Sequence, residues 1–456
     1  MGKYKNEIDM TEGPFLKKII RFAIPLIFTG LLQSFYNAAD LIVVGQFEGD
    51  IALAAVGSTN ALTNLVVGLF MGLSAGAGVS VAHYLGAKRE KEVSGVLHTS
   101  ILLSVILGVI IAAFGFIFAP QMLHLMGNPD DVIEHSILYI RIIFIGMPAS
   151  MIYNYAAAMV RSTGDTKNPL IFLSVSGIVN VILNLILVIF FHMGVAGVAI
   201  GTIAAQYLSA IMIMVHLSRL DGCLHFSVKK LKITPRKLKK ILYIGIPSGL
   251  QGSLFSLSNV LIQSSINSFG SATMSGSAAS GNLEGFLYVA LNAFYHASLN
   301  FVGQNVGAKK FYNVKKVVGC SVATVVVIGV VLQALALTFS RQLIGLYAEG
   351  EEAIHQGVVK MFMVLSLYFL CGIMEVFSGA LRGMGRSMTS MLISLSGACL
   401  FRIVWIETVF KLVSTPECIY LSYPISWALT ATCSMIFLII AVKKETRKLN
   451  EALSLK

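Results

Sequence analysis

A single carboxylate inside an apolar run constrains this chain more than any other feature. The run Phe22 to Phe47 carries Pro25 and Asp40. It is long enough to cross a bilayer as a helix, for which about twenty apolar residues suffice. At helical spacing Thr29, Gln33, Asn37 and Asp40 share a face, with Tyr36 beside them. An ionisable group at that depth costs at least about 2.5 kcal/mol on insertion scales, so it marks an ion or substrate pathway unless it simply reaches water at the helix end. Several polar residues in register with it favour the pathway.

The rest of the chain agrees that the solvent is lipid. Of 456 residues, 56% are hydrophobic and 12% charged, with mean hydropathy +0.80. Soluble domains carry about twice that charged fraction. The first fifteen residues are polar and the first run is too long for a signal-peptide core, so no cleavable leader is expected. The net charge of +12 does not point to nucleic acid. All Lys and Arg except Arg141, Arg341, Lys360, Arg402 and Lys411 lie at the termini or in alternate loops. That is the positive-inside pattern, with both termini cytoplasmic. Six cysteines and nine histidines show no paired or metal-ligand spacing, so neither a disulfide framework nor a metal site is expected.

Twelve apolar runs can be counted, at approximately 18–47, 52–82, 94–119, 131–158, 168–191, 194–218, 241–268, 275–303, 317–340, 353–380, 388–411 and 419–442. The basic stretch between the sixth and seventh splits them evenly. The halves repeat. Ile24-Pro25 returns as Ile246-Pro247, Asn37 as Asn259, Phe47 as Phe269 and Asn60 as Asn282, all 222 positions on. After a one-residue slip, Gly86-Ala87-Lys88 returns as Gly307-Ala308-Lys309 and Arg161-Ser-Thr-Gly164 as Arg382-Gly-Met-Gly385. An even number of spans per half gives both halves one orientation, hence parallel repeats. The expectation is an all-α integral membrane protein of twelve spans in two six-helix lobes: 1–218, a cytoplasmic linker 219–240, 241–442 and a basic cytoplasmic tail 443–456. Gly-Ala-Lys-Arg-Glu-Lys (86–91) lacks the phosphate-loop spacing and setting, which excludes an ATPase.

The polar seams differ between the halves. The fifth run places Gly177, Asn180 and Asn184 on one face, and the sixth places Thr202, Gln206 and Ser209 on one face. Taken singly such residues bond neighbouring helices; as a set converging with Asp40 they read as the lining of a wet cavity. In the second half the position repeating Asp40 is Ile262, and the seventh run has no carboxylate. Glu284 on the eighth run takes its place as a candidate, with Tyr288 and Asn292 along the same side. Asn180 and Asn184 repeat as Phe401 and Trp405, and Trp427 falls where Gln206 would. This suggests an ion-handling first lobe and an aromatic second lobe, with Glu284, for a flat cationic substrate. Arg141 and Lys360 either snorkel outward or pair with a carboxylate. Glu375 and Glu407 read as structural.

Ile-Pro (24–25), Gln-Ser-Phe-Tyr-Asn-Ala-Ala-Asp (33–40), Val-Gly-Gln-Phe (44–47), Leu-Gly-Ala-Lys-Arg (85–89), Arg-Ser-Thr-Gly-Asp (161–165), Gln-Asn-Val-Gly-Ala-Lys-Lys (304–310) and Ala-Leu-Arg-Gly-Met-Gly (380–385) together resemble the multidrug and toxic compound extrusion (MATE) family over nearly the whole chain. The resemblance implies cation-coupled export of organic, mostly cationic compounds by alternating access, from a bacterial plasma membrane. It further implies that Asp40 is the coupling site, that Gln33, Tyr36, Asn180 and Thr202 match its neighbours, and that the first helix bends at Pro25. Asn184 departs from the pattern, because some relatives place a second acid there. Hard cations want anionic oxygens, so the departure favours protons over sodium. The expected partners are small organic cations and membrane lipids, with the protein a monomer. No catalytic residues are expected, since no nucleophile–base cluster is present. The alternative is a lipid or lipid-linked saccharide flippase of the same superfamily, which needs a strongly cationic cavity; Arg141, Lys360 and Arg402 are the residues available for one.

Overall fold

The structure is a computed structural model that describes residues 8–454, in which no strand occurs. The first half contains α1 (Phe15–Phe47), α2 (Gly49–Gly86), α3 (Glu90–Leu125), α4 (Asp130–Ile145), α5 (Met147–Arg161), α6 (Lys167–Leu185) and α7 (Gly194–Arg219). The second contains α8 (Pro235–Asn267), α9 (Ser271–Gly307), α10 (Phe311–Thr338), α11 (Ser340–Gly345), α12 (Glu351–Leu365), α13 (Phe369–Gly383), α14 (Ser387–Ser394), α15 (Phe401–Trp405) and α16 (Pro416–Ser454). Each of the twelve apolar runs is helical. Two are broken: α4 and α5 bend by 46° at Gly146, and α12 and α13 by 47°. Seven helices among the described residues are long and apolar enough to cross a membrane, or nine if each bent pair is one span.

The internal repeat is written into the backbone as well as the side chains. Lys88 and Lys309 both adopt left-handed conformations, at φ 56° and 58°. Gly164 and Gly385 do the same at the other repeated turn, at φ 98° and 78°. A π-helical turn at Ile186–Phe190 ends the α6 segment, and another at Ile406–Phe410 follows α15 at the corresponding place. A lysine in that region is uncommon, so its recurrence shows two copies of one turn geometry rather than a chance likeness of composition.

Packing divides the chain into two units whose limits cut across the sequence halves. One gathers Ile8 and Phe28–Gly249; the other gathers Asp9–Ile27 and the chain from Leu250 onward. The start of α1 therefore packs in the second unit, where Phe22 meets Phe301 edge-on and Asn305 and Asn313 donate to the carbonyls of Met10 and Thr11. The start of α8 packs in the first, where Gly245 and Gly249 lie against the Leu73 and Leu69 carbonyls; a Cβ at either would collide with that backbone.

The basic linker is fastened to the first unit. His98 of α3 donates from Nδ1 to the Ser94 carbonyl at 2.8 Å, leaving Nε2 to accept from the Ser227 N–H at 3.1 Å, while Phe226 stacks on its ring. Thr99 donates to the Lys232 carbonyl and accepts from the Thr234 N–H. Lys237 pairs with Glu92, and Lys237 and Lys240 both lie on the ring of Tyr84.

Candidate functional site

In the first unit three helices converge on one carboxylate. Asp40 of α1 is 9% exposed. Asn184 of α6 donates to its Oδ1 at 2.5 Å, and Thr202 of α7 donates to its Oδ2 at 3.2 Å. The Asn180 amide, oriented to donate, reaches Oδ1 at 3.0 Å while its oxygen accepts from the Thr202 N–H at 3.3 Å. One turn apart on α6, the two asparagines reach the same oxygen because residues four apart share a helix face.

Small residues allow this approach. The ring of Tyr36 occupies the place a Cβ on Gly177 would take, and its hydroxyl donates to the Ser174 carbonyl at 3.2 Å. Gly201 leaves room for Asn184 Oδ1, which is buried and has no hydrogen-bond partner. Tyr139 of α4 is also buried in this unit.

Asp40, Asn180, Asn184 and Thr202 thus form one cluster, with Tyr36 packed alongside. Gln33 and Asn37 are exposed and make no hydrogen bond to the carboxylate. Pro25 lies buried inside α1 and removes one rung of its hydrogen-bond ladder. Gln206 stands apart from the cluster, with its buried Oε1 against Gly146 and unpartnered. No group of three or more His, Cys, Asp or Glu that could hold a metal occurs among the described residues.

The second unit holds a larger polar interior. Glu284 of α9 accepts from Ser280 at 2.9 Å and faces Lys360 Nζ at 3.4 Å; Lys360 also donates to the Ser277 carbonyl at 3.0 Å. Of the two readings of Lys360, the structure shows the paired one. Asn292 donates to the Tyr288 hydroxyl at 3.2 Å, and that hydroxyl lies 3.5 Å from Glu375 Oε1. Trp405 donates its ring N–H to the Cys418 carbonyl. Trp427, 5% exposed, packs edge-on against Tyr368 and Tyr423, and faces the guanidinium of Arg402. The aromatic group foreseen for a foreign cation already has one from the protein. Arg141 donates to the Phe116 carbonyl and lies over its ring.

Arg402, which sequence reasoning offered only as a residue available to a cationic cavity, is buried in the second unit. Arg402 carries the same flag as Asp40, a charge in mid-run, and was legible on that ground.

An all-helical, internally duplicated chain with a buried carboxylate among amides defines a multi-pass membrane protein. The MatE family model matches residues 25–186 and 247–406, one stretch in each half. The chain belongs to the MatE family. It is 29% identical over 381 residues to a probable multidrug resistance protein, YoeA, of Bacillus subtilis, covering 82% of each chain. The multidrug export protein MepA of Staphylococcus saprophyticus is 22% identical over 397 residues, covering 87% of this chain and 88% of the other. Among solved structures, a multidrug resistance MATE transporter in an outward-facing conformation superposes with TM-score 0.91 at 20% identity, over 98% of this chain and 100% of that one. A transporter of the MOP superfamily from Pyrococcus furiosus gives TM-score 0.91 at 20% identity, over 97% and 99%. These likenesses fix the fold.

Proposed function

We propose that this protein is a proton-coupled antiporter that exports amphipathic organic compounds by alternating access through twelve spans in two six-helix lobes. Curated relatives named as multidrug resistance and export proteins, matched over more than four fifths of the chain, support drug export. The observation that carries the coupling is the Asp40 cluster, which has a hydrogen-bond arrangement for each protonation state.

Thr202 Oγ1 lies 3.2 Å from Asp40 Oδ2 and 2.9 Å from the Val198 carbonyl. A hydroxyl has one proton and two acceptor sites. With Asp40 ionised, Thr202 donates to it. With Asp40 protonated, the carboxyl donates to Thr202 Oγ1, and Thr202 turns its proton to Val198. Neither state leaves that hydroxyl orphaned.

Sodium has weaker support. Asp40 is the one carboxylate of the cluster, and Asn180, Asn184 and Thr202 supply neutral oxygens only. A hard cation prefers several anionic ones. The energy scale suits a proton: one charge moved through 100 mV releases about 2.3 kcal/mol, a roughly 50-fold concentration ratio. Exchanging one proton for one monovalent cation cancels the voltage and leaves the pH gradient as the driving force.

The lobes play different parts in this reading. The cluster of Asp40, Tyr36, Asn180, Asn184 and Thr202 takes the proton, Pro25 lets α1 bend, and Gln33 and Asn37 line the approach. In the second unit Glu284, Tyr288, Asn292, Trp405 and Trp427 are the substrate-binding residues of this reading, and in the first unit Gln206 is a separate candidate. The test is export of a fluorescent organic cation from proteoliposomes under a pH gradient or a sodium gradient alone. Export under the pH gradient, lost in Asp40→Asn, is expected; export driven by sodium alone contradicts proton coupling.

A further inference from the structure

The second unit contains a buried cation without an anion. Arg402 is 4% exposed. Its Nε donates to Ser426 Oγ at 2.9 Å, and its guanidinium carbon lies 4.2 Å from the centre of the Tyr423 ring and 5.8 Å from that of Trp427. A guanidinium has five N–H donors, and only one is used. The carboxylates of this interior are otherwise engaged: Glu284 lies in an ion pair with Lys360, and Glu375 faces Tyr288. No carboxylate lies within ion-pair distance of Arg402 among the described residues. Its terminal nitrogens have no hydrogen-bond partner, yet they are not among the polar atoms sealed from open space. The interior balance agrees, with Lys360, Arg382 and Arg402 set against Glu284 and Glu375.

Leaving a buried charge with unused donors is costly. The aromatic rings offset part of that cost. What they leave open is the fork of terminal N–H groups, the half that matches a planar carboxylate in two parallel hydrogen bonds.

We propose that Arg402, held over the ring of Tyr423, is the receiving group of an anion subsite for the carboxylate of a zwitterionic or acidic aromatic compound. The terminal nitrogens of Arg402 bind that carboxylate. This narrows the substrate class of the proposed exporter, and rests on that reading for the nature of the cargo. A carboxylate-bearing compound is favoured over its neutralised ester, whereas a purely cationic compound meets a like charge here.

The probe is a matched pair of dyes, rhodamine 110, which bears a free carboxylate, and rhodamine 123, its methyl ester. Binding to purified protein in nanodiscs is read by fluorescence anisotropy with no ion gradient. The wild type is expected to bind the acid about tenfold more tightly than the ester, the scale of one charge-assisted hydrogen-bond pair. Arg402→Gln should abolish that preference, and Arg402→Lys should restore part of it. Equal affinities in the wild type, or a preference for the ester, overturn the proposal whether or not the variants fold. So does a preference that survives in a folded Arg402→Gln protein. Asp40→Asn serves as the control: the acid preference should persist in it even if coupled export fails.

Discussion

Thr202 Oγ1 stands between two acceptors, Asp40 Oδ2 at 3.2 Å and the Val198 carbonyl at 2.9 Å. The single hydroxyl proton must choose between them, and the protonation of Asp40 makes the choice. Thr202→Val keeps the shape and removes the hydroxyl. A hydrogen bond to a charged group contributes about 1.5–3 kcal/mol, so pH-driven efflux in proteoliposomes should fall by roughly tenfold or more. Thr202→Ser should retain most of it. Equal activity in all three proteins would remove Thr202 from the mechanism.

In the proposed mechanism Asn184 favours the proton over sodium. Its amide donates to Asp40 at 2.5 Å. Asn184→Asp puts two carboxyl groups at that separation, which then share a proton or hold a metal cation. The expected result is a gain: sodium should raise the melting temperature of the variant in detergent and leave that of the wild type unchanged. Sodium stabilisation of the wild type, lost in Asp40→Asn, would show that the neutral oxygens suffice.

The contact of Tyr36 with Gly177 sets the spacing of α1 and α6. A methyl group at Gly177 meets the tyrosine ring, while one at Gly57 of α2 meets nothing within 4 Å. Gly177→Ala should cost about 1–3 kcal/mol from overpacking, and Gly57→Ala should be neutral or slightly stabilising. Thermal melts of the two variants make the comparison directly.

The Glu284–Lys360 pair is buried, with side-chain exposures of 14% and 6%. Removing one partner of such a pair strands a charge and costs about 3–5 kcal/mol, whereas replacing both is often neutral. Glu284→Gln and Lys360→Met should each lower the melting temperature, and the double variant should recover most of the loss. Losses that simply add would mean that the two groups act independently.

Lys240 closes the basic linker, outside the apolar run that begins at Ile241. Burial, and then the charges of Lys237 and Arg89, pull its ammonium down to about 8. An unfolded lysine titrates near 10.4, so from about pH 8 to 10.4 the unfolded chain holds more protons and stability rises with pH. Below that window the penalty is constant. The melting temperature of the wild type should climb across the window more steeply than that of Lys240→Gln; matching slopes would contradict the assignment.

How much of this was legible in the sequence depends on the kind of evidence. The helical character of the twelve apolar runs and the duplication were, because apolar length and an offset of 222 positions, 221 after the slip, are one-dimensional signals. So were Asp40 and the asparagines four apart, because helical periodicity places them on one face. The limits of the packing units were not. The start of α1 lies beside Phe301, Asn305 and Asn313, and Gly245 and Gly249 lie on the backbone of α2. Those contacts link positions about 170 to 300 residues apart and have no periodic trace. Pairing in the second unit was also hidden: Lys360 is opposite Glu284 through the packing of α12 on α9, and the cation facing Trp427 comes from another helix.

The central claim is that substrate binding is coupled to proton loss from Asp40, and the most direct measurement is of the proton itself. Adding a fluorescent organic cation to detergent-solubilised protein in weakly buffered solution, with a pH indicator present, should release protons in the wild type. Asp40→Asn should bind the dye and release none. Equal release from both proteins, or binding by the wild type without release, would contradict the account.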